Sequence, residues 1–167
     1  MTLEQSALPV FAGHQTFHPR FGWIKKGYDA LVADPEVFSN PQAPLVLGVG
    51  KNMVEAIRFW GLATRAWCRI PDQAKSRSFL HVPTGFGAAL FDDYGLDPYL
   101  EIPGSLWLLH WYALSPPTSL PVWWLTFNDF SPVEFTDEDL ERFCAEQVAG
   151  TTWRQPNSSS IKKDVDC

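Results

Sequence analysis

The stretch LGVGKNMVEAIRFW, residues 47–60, constrains the fold more than any other part of the chain, because a Gly-x-Gly-Lys turn runs directly into an amphipathic helix. Such a turn either cradles a phosphate or joins two helices. A phosphate-binding P-loop needs the pattern G-x-x-x-x-G-K-[ST]. Here Leu45 stands in place of the first glycine, and Asn52 replaces the hydroxyl residue after Lys51. Two of the four fixed positions are missing, so no nucleotide cofactor is expected.

The same stretch meets the requirements of a helix-turn-helix, which are a short apolar helix, a tight turn and a second helix with an apolar inner face. The motif is predicted at about 41–65, with Gly48 at a turn position of positive φ. The predicted apolar face of the first helix consists of Leu45, Val46 and Leu47. The predicted inner face of the second helix, with residues at helical spacing, consists of Met53, Val54, Ile57 and Trp60.

The polar residues of the second predicted helix lie on the opposite face, and they are Lys51, Asn52, Glu55 and Arg58. Asn can bind adenine through two hydrogen bonds, and Lys or Arg can bind guanine or phosphate. Lys51, Asn52 and Arg58 are therefore candidate DNA-binding residues. The alternative is an ordinary amphipathic helix whose polar face is only solvated, and the pattern alone leaves both interpretations open.

Charge is unevenly distributed along this chain of 167 residues, whose net charge is −6. Between residues 14 and 77, nine Lys and Arg outnumber five Asp and Glu, whereas between 78 and 153 a single Arg is set against eleven Asp and Glu. A basic segment within an acidic chain is typical of a protein that binds nucleic acid with one of its parts. The acidic segment is expected to face solvent or a protein partner.

The densest polar cluster begins with His14-x-x-x-His18. Two histidines at this spacing share a face of a helix and can bind a metal, but Pro19 disfavours helix at His18. The glutamate that zinc proteases place after the first histidine is also absent. His14 and His18 are candidate acid–base or metal-binding residues, and the alternative is that they are hydrogen-bonded members of an aromatic-rich core.

Nuclease metals are held by oxygen ligands, usually carboxylates. One carboxylate group, at 137–141, is explained as the first turn of a helix that Thr136 caps. The other consists of Asp92, Asp93 and Asp97 in a loop and stays open as a candidate metal-binding group. The sequence contains no D-x-E-x-K-like or H-N-H-like nuclease cluster, so it gives no strong catalytic site.

Hydrophobic periodicity predicts further helices at about 21–33, 84–91, 103–114, 120–130 and 135–150, and a β-hairpin wing that includes 79–82. We predict a mainly α fold with a small β-hairpin, of the winged-helix or helix-turn-helix type. A DNA-binding domain is expected at 11–100. A helical region at 101–167 is expected to lead into a second, truncated helix-turn-helix. No apolar run is long enough to span a membrane, and three widely spaced cysteines favour a reduced, cytoplasmic protein.

Five segments carry a resemblance to a known family, and they are FAGHQTFHPRFGWIKKGYDAL, LGVGKNMVEAIRFW, GLDPYLEIPGSLWLLHW, EFTDEDL and SSSIKKDVDC. From Phe11 to Cys167 the chain resembles an N-terminal portion of the SspB-type proteins of the Ssp DNA phosphorothioation defence system. The positions that match and are suited to acid–base chemistry or DNA contact include His14, Thr16, His18, Arg20, Lys25, Lys26, Lys51, Asn52 and Arg58. Family members often have a basic residue where this chain has Glu55, whose charge must then be neutralised by Lys51 or Arg58.

The resemblance implies a DNA nickase that opens one strand of double-stranded DNA so that partners can insert sulfur. These partners are a cysteine desulfurase, an ATPase and an ATP-pyrophosphatase-like protein. On this basis His14 and His18 are candidate catalytic residues, a divalent metal such as Mg²⁺ or Mn²⁺ is a candidate cofactor, and Arg20, Lys25 and Lys26 join the candidate DNA contacts. Two alternatives stay open: a non-catalytic DNA-binding adaptor that recruits the sulfur-transfer enzymes, and a protein-interaction module that uses the acidic, Trp-rich segment.

Overall fold

The computed structural model describes every residue from Met1 to Cys167. Its helices are α1 (Leu3–Ser6), α2 (Trp23–Ala33), α3 (Ala43–Leu47), α4 (Lys51–Ala63), α5 (Gly85–Phe91), α6 (Pro103–Leu114), α7 (Pro121–Asn128), α8 (Asp137–Ala149) and α9 (Ser158–Val165). Two strands, β1 (Trp67–Pro71) and β2 (Phe79–Pro83), form the sheet, and a 3₁₀ turn covers Val37–Ser39. The predicted mainly α fold with a small β-hairpin is confirmed. None of the helices is long and apolar enough to cross a membrane.

The chain divides into two compact units. The central unit is Phe17–Tyr112, and the terminal unit combines Met1–Thr16 with Ala113–Cys167. The first 16 residues belong with the end of the chain, and most of α6 belongs with the middle. The functional domains predicted at 11–100 and 101–167 stay a prediction.

The core of the central unit is formed where α2 and α4 pack beside the hairpin. Leu31 of α2, Ile57 of α4 and Trp67 of β1 are almost completely buried. The approach of Trp67 to α4 depends on Gly61, since a Cβ added there would lie 1.8 Å from the indole ring. The small residue at position 61 is therefore what lets the hairpin lie against the helix.

The hairpin is antiparallel, and its register runs from Trp67 opposite Pro83 to Pro71 opposite Phe79. The predicted apolar segment 79–82 lies within its second strand. Helices α2, α3 and α4 followed by a two-stranded hairpin give the element order that a winged helix-turn-helix requires. The assignment of the hairpin as a wing stays a prediction.

The terminal unit has its own core, which joins α1, α7, α8 and α9 and includes Val122, Leu125, Cys144, Val148 and Ile161. Helix α8 begins with the predicted cap. The Thr136 hydroxyl accepts from the amide of Asp139 at 3.3 Å, and the Asp139 carboxylate accepts from the amide of Thr136 at 3.0 Å. Helix α9 packs into this core through Ile161. Its assignment as the start of a second helix-turn-helix stays a prediction.

Candidate nucleic-acid interface

The turn between α3 and α4 is built by two glycines. Gly48 follows α3 in the left-handed region, with a φ of 62°, which a residue without a Cβ adopts at little cost. The amide of Val49 donates to the carbonyl of Pro44 at 3.0 Å and closes the end of the helix. Gly50 then caps the beginning of α4. The sequence therefore produces the tight turn between two helices that was expected of it.

Three of the four residues predicted for the inner face of α4 are buried, namely Val54, Ile57 and Trp60, whereas Met53 is half-buried. The indole N–H of Trp60 donates to the carbonyl of Phe17 at 2.9 Å, which ties α4 to the segment that precedes α2. These contacts fix the orientation of α4 about its own axis. Packing therefore determines which of its residues face outward.

The predicted apolar face of the first helix was wrong at two positions. Leu45 is 79% exposed and Val46 is also exposed, whereas Leu47 is buried. Successive residues of a helix point about 100° apart, so three consecutive residues cannot all face one core. Helix α3 instead presents Leu45 and Val46 to the outside, beside the turn.

The outer face of α4 carries the polar residues that the sequence assigned to DNA binding. Lys51 and Asn52 are exposed in its first turn. Arg58 forms an ion pair with Glu55 one turn earlier, so Arg58 is the residue that neutralises this carboxylate. Lys51 and Asn52 are consequently the more available of the three candidate contacts on this helix.

The hairpin adds a basic residue next to this helix. Arg69 of β1 is exposed, lies opposite His81 and has its guanidinium 5.4 Å from the ring centroid of Phe79. Burial is the main cause that lowers the pKa of His81 to about 4, and the positive charges of Arg58 and Arg69 contribute to this shift. We group Arg69 with Lys51, Asn52 and Arg58 of α4 as the candidate basic surface.

The basic residues around α2 have three different environments. Arg20 is exposed and stacks over Trp23 at 5.3 Å, and Lys26 is exposed and donates to the carbonyl of Leu47 at 3.2 Å. Lys25 is only 7% exposed and its ammonium donates to Asp29 at 2.7 Å. Arg20 and Lys26 can therefore reach a phosphate from their present positions, whereas Lys25 is held within the protein.

The two candidate catalytic histidines have different environments. His14 belongs to the terminal unit and is 2% exposed, with its Nε2 2.8 Å from a carboxylate oxygen of Asp164. His18 belongs to the central unit and is exposed. Residues 14–18 form no helix, in keeping with Pro19, so the shared helical face needed for a two-histidine metal site is absent.

The Asp164 carboxylate has a second function beside its contact with His14. It accepts from the amide of Ala12 at 2.9 and 3.1 Å through its two oxygens. The buried pair therefore fastens the segment around His14 to α9. A buried imidazole paired with a carboxylate favours a structural role for His14, while the catalytic assignment of His14 and His18 stays a prediction.

The candidate carboxylates of the 92–97 loop also have structural partners. Asp92 accepts from the Tyr28 hydroxyl at 2.6 Å, and Asp97 accepts from the amides of Glu101 and Ile102 just before α6. Among the 167 residues described, no three His, Cys, Asp or Glu side chains are grouped as metal ligands. The candidate residues therefore form no preformed metal site with three protein ligands.

The sequence interpretation missed Arg69 as part of the basic surface. A single Arg in a short strand matches no motif, and its position next to α4 depends on the packing of Trp67 against Gly61. The one available signal was its occurrence in a hairpin that directly follows the predicted helix-turn-helix.

Comparisons with known proteins agree with this architecture. A family model described as a protein of unknown function, DUF4007, matches residues 11–167. A solved structure described as "SspB crystal structure" shares 42% identity over 99% of this chain with a TM-score of 0.93, and one described as "Magnesium ion-bound SspB crystal structure" shares 41% with the same TM-score. The matches cover 50% and 49% of those chains, so this chain spans about half of their length. No curated protein matches it.

Proposed function

We propose, from the premise that this chain belongs to the DUF4007 family and shares its fold with SspB, that it is a DNA-binding component of a DNA phosphorothioation system. The observation that carries the proposal is the outer face of α4. Packing rotates this helix so that Lys51 and Asn52 project from the N-terminal turn, directly after a glycine turn. The N-terminal residues of a recognition helix are the ones that contact base edges in a helix-turn-helix complex.

The polar residues of this face differ in the parts of DNA that they can contact. Lys51 supplies charge to a phosphate or to guanine, and Asn52 supplies the paired donor and acceptor that fit adenine. Arg58 and Arg69 lie further along the helix and on the hairpin, where they would contact the phosphate backbone. Arg20 and Lys26 supply charge from the neighbourhood of α2.

The test is the affinity of the chain for a short DNA duplex. Lys51→Ala is expected to weaken binding several-fold, and Glu55→Gln is expected to strengthen it, because it releases Arg58 from its ion pair. Lys163→Ala is the matched control, since it removes the same charge from an exposed position of the terminal unit. Equal losses in Lys51→Ala and Lys163→Ala would reduce binding to a nonspecific charge effect and overturn the proposal.

Strand nicking is the second candidate function, and the Mg²⁺-bound state of an SspB structure favours it. The candidate catalytic His14 is buried in a pair with Asp164, so we propose that these 167 residues supply the DNA-binding surface for this reaction. They would serve to place the strand for nicking and for the sulfur-transfer enzymes, namely the cysteine desulfurase, the ATPase and the ATP-pyrophosphatase-like protein.

A supercoiled-plasmid assay with and without Mg²⁺ or Mn²⁺ distinguishes the two functions. The adaptor function predicts a plasmid that is shifted but stays supercoiled. Metal-dependent open circles would instead place the nicking site within these residues. In that case His14→Asn and His18→Asn would be the first variants to examine for loss of nicking.

A further inference from the structure

The central unit contains an open cleft beside the turn of the proposed recognition motif. Its volume is about 580 Å³, and the lining residues include Phe21, Lys25, Lys26, Asp29, Leu47 and Tyr99. This volume lies within the range of about 300–1,000 Å³ that is usual for small-ligand sites. We call this feature the Tyr99 cleft.

The rim of the cleft carries two exposed aromatic rings. Phe21 is 74% exposed and Tyr99 is 64% exposed, although aromatic rings normally find apolar cover. Tyr99 is held in place by its loop, because the buried carboxylate of Asp97 accepts from the amides of Glu101 and Ile102 at 2.9 and 3.0 Å. The rim is therefore a fixed stacking surface, since the loop on which Tyr99 sits is fastened on its C-terminal side.

The floor of the cleft offers both a donor and an acceptor. The Lys25 ammonium donates to Asp29 at 2.7 Å and to the carbonyl of Phe91 at 3.1 Å, and it lies 5.8 Å from the centroid of the Tyr99 ring. Burial alone would lower the pKa of Lys25, but Asp29 and Asp93 raise it above its ordinary value, so the ammonium stays charged. A neutral ligand with a donor-and-acceptor edge matches this paired arrangement better than a free anion does.

The cleft is continuous with the proposed DNA interface. Lys26 lines it and donates to the carbonyl of Leu47, the last residue of α3. Val46 and Leu47 form one wall, and three residues separate Leu47 from the start of α4 at Lys51. Lys26, together with Arg20 just before the rim, supplies positive charge where a nucleotide phosphate would lie.

We propose that the Tyr99 cleft receives a nucleobase turned out of the bound DNA, stacked on Tyr99 and Phe21 with its edge toward Lys25 and Asp29. A nucleobase combines a flat aromatic face with neutral donors and acceptors, which are the features that this cleft complements. The proposal rests on the proposed DNA binding and deepens it. It assigns to the protein a preference for a locally unpaired strand.

The experiment compares three duplexes of identical sequence: fully paired, with one extra unpaired adenine, and with an abasic residue in place of that adenine. Stacking of a base on an aromatic side chain strengthens binding by about tenfold. We therefore expect the duplex with the unpaired adenine to bind about tenfold more tightly than either of the others. The abasic duplex keeps the local flexibility and removes the base, so it isolates recognition of the base.

Four variants make the result specific to the cleft. Tyr99→Ala and Phe21→Ala are expected to remove the preference for the unpaired adenine without changing affinity for the paired duplex, and Tyr99→Trp is expected to retain it. Both residues are exposed, so these variants are expected to fold. Tyr94→Ala is the control, because Tyr94 is fully exposed and does not line the cleft.

The outcomes separate this proposal from the one on which it rests. Failure to bind any of the three duplexes would overturn the proposed DNA binding itself. Equal binding of all three, unchanged in Tyr99→Ala, would leave DNA binding intact and overturn the nucleobase site.

Discussion

The central and terminal units use their charged side chains in opposite ways. The central unit contains nine Lys and Arg and nine Asp and Glu, whereas the terminal unit contains four and ten. The central unit is therefore neutral as a whole, yet it presents Lys51 and Asn52 on an exposed helix face. The terminal unit places a histidine and an aspartate in its interior instead. A candidate DNA-binding surface therefore has to be identified from the charged side chains that the fold leaves exposed. The balance of charges along the sequence does not identify it.

The largest expected effect comes from the buried pair of the terminal unit. His14→Ala leaves Asp164 buried without its imidazole partner, and we expect it to lower the free energy of unfolding by about 3 kcal/mol. His18→Ala, at an exposed position, is expected to change it by less than about 0.5 kcal/mol. Urea denaturation measures both. Equal stability of the two variants would remove the structural role that we assign to His14.

We expect pH to change the free energy of unfolding by a similar amount through His81 of the central unit. The pKa of His81 is about 4 in the folded protein, so between about pH 6.5 and 4 the unfolded chain binds the proton more readily. Stability should be fully present above pH 6.5 and fall by roughly 2–4 kcal/mol as the pH drops to 4. His81→Leu should make this decline shallower. An equally steep decline in the variant would show that other groups cause it.

Gly61→Ala should disrupt the packing that brings the hairpin to α4. The added Cβ would lie 1.8 Å from the Trp67 ring, and overpacking of this kind costs about 1–3 kcal/mol. Gly104→Ala in α6 is the matched control, because its Cβ would meet only Ile102 at 3.9 Å. Thermal unfolding should show a lower midpoint for Gly61→Ala alone. A midpoint unchanged by both substitutions would contradict the close approach.

The smallest expected effect concerns the dependence of DNA binding on salt. Removing one phosphate contact lowers the slope of log K against log salt by about one unit. Lys51→Ala should show this reduction, and Lys163→Ala should retain the slope of the unmodified chain. Identical slopes for Lys51→Ala and the unmodified chain would exclude Lys51 from the contact with the phosphates.

Capping residues and hydrophobic periodicity in the sequence predicted where several helices begin and end. Thr84 and Thr136 cap their helices as expected, and α6 has the predicted bounds. Periodicity also predicted the inner face of α4, because helical spacing and burial are linked by geometry. These features depend on residues a few positions apart.

Features that depend on distant residues could not be predicted in this way. The contact between His14 and Asp164 spans 150 positions, and the Tyr99 cleft assembles residues of α2, α3 and the 98–100 loop. The burial of Lys25 follows from carbonyl and carboxylate groups contributed by later parts of the chain. Sequence pattern identifies such residues as polar but does not say whether they face water or the protein.

The most direct test of the central claim is a backbone amide NMR titration of the whole chain with a short DNA duplex. The account predicts that the largest changes occur at Lys51, Asn52 and Arg69, while the amides around His14 and in α9 stay unchanged. Changes concentrated in the terminal unit, with α4 unaffected, would contradict the account and place DNA binding elsewhere on the molecule.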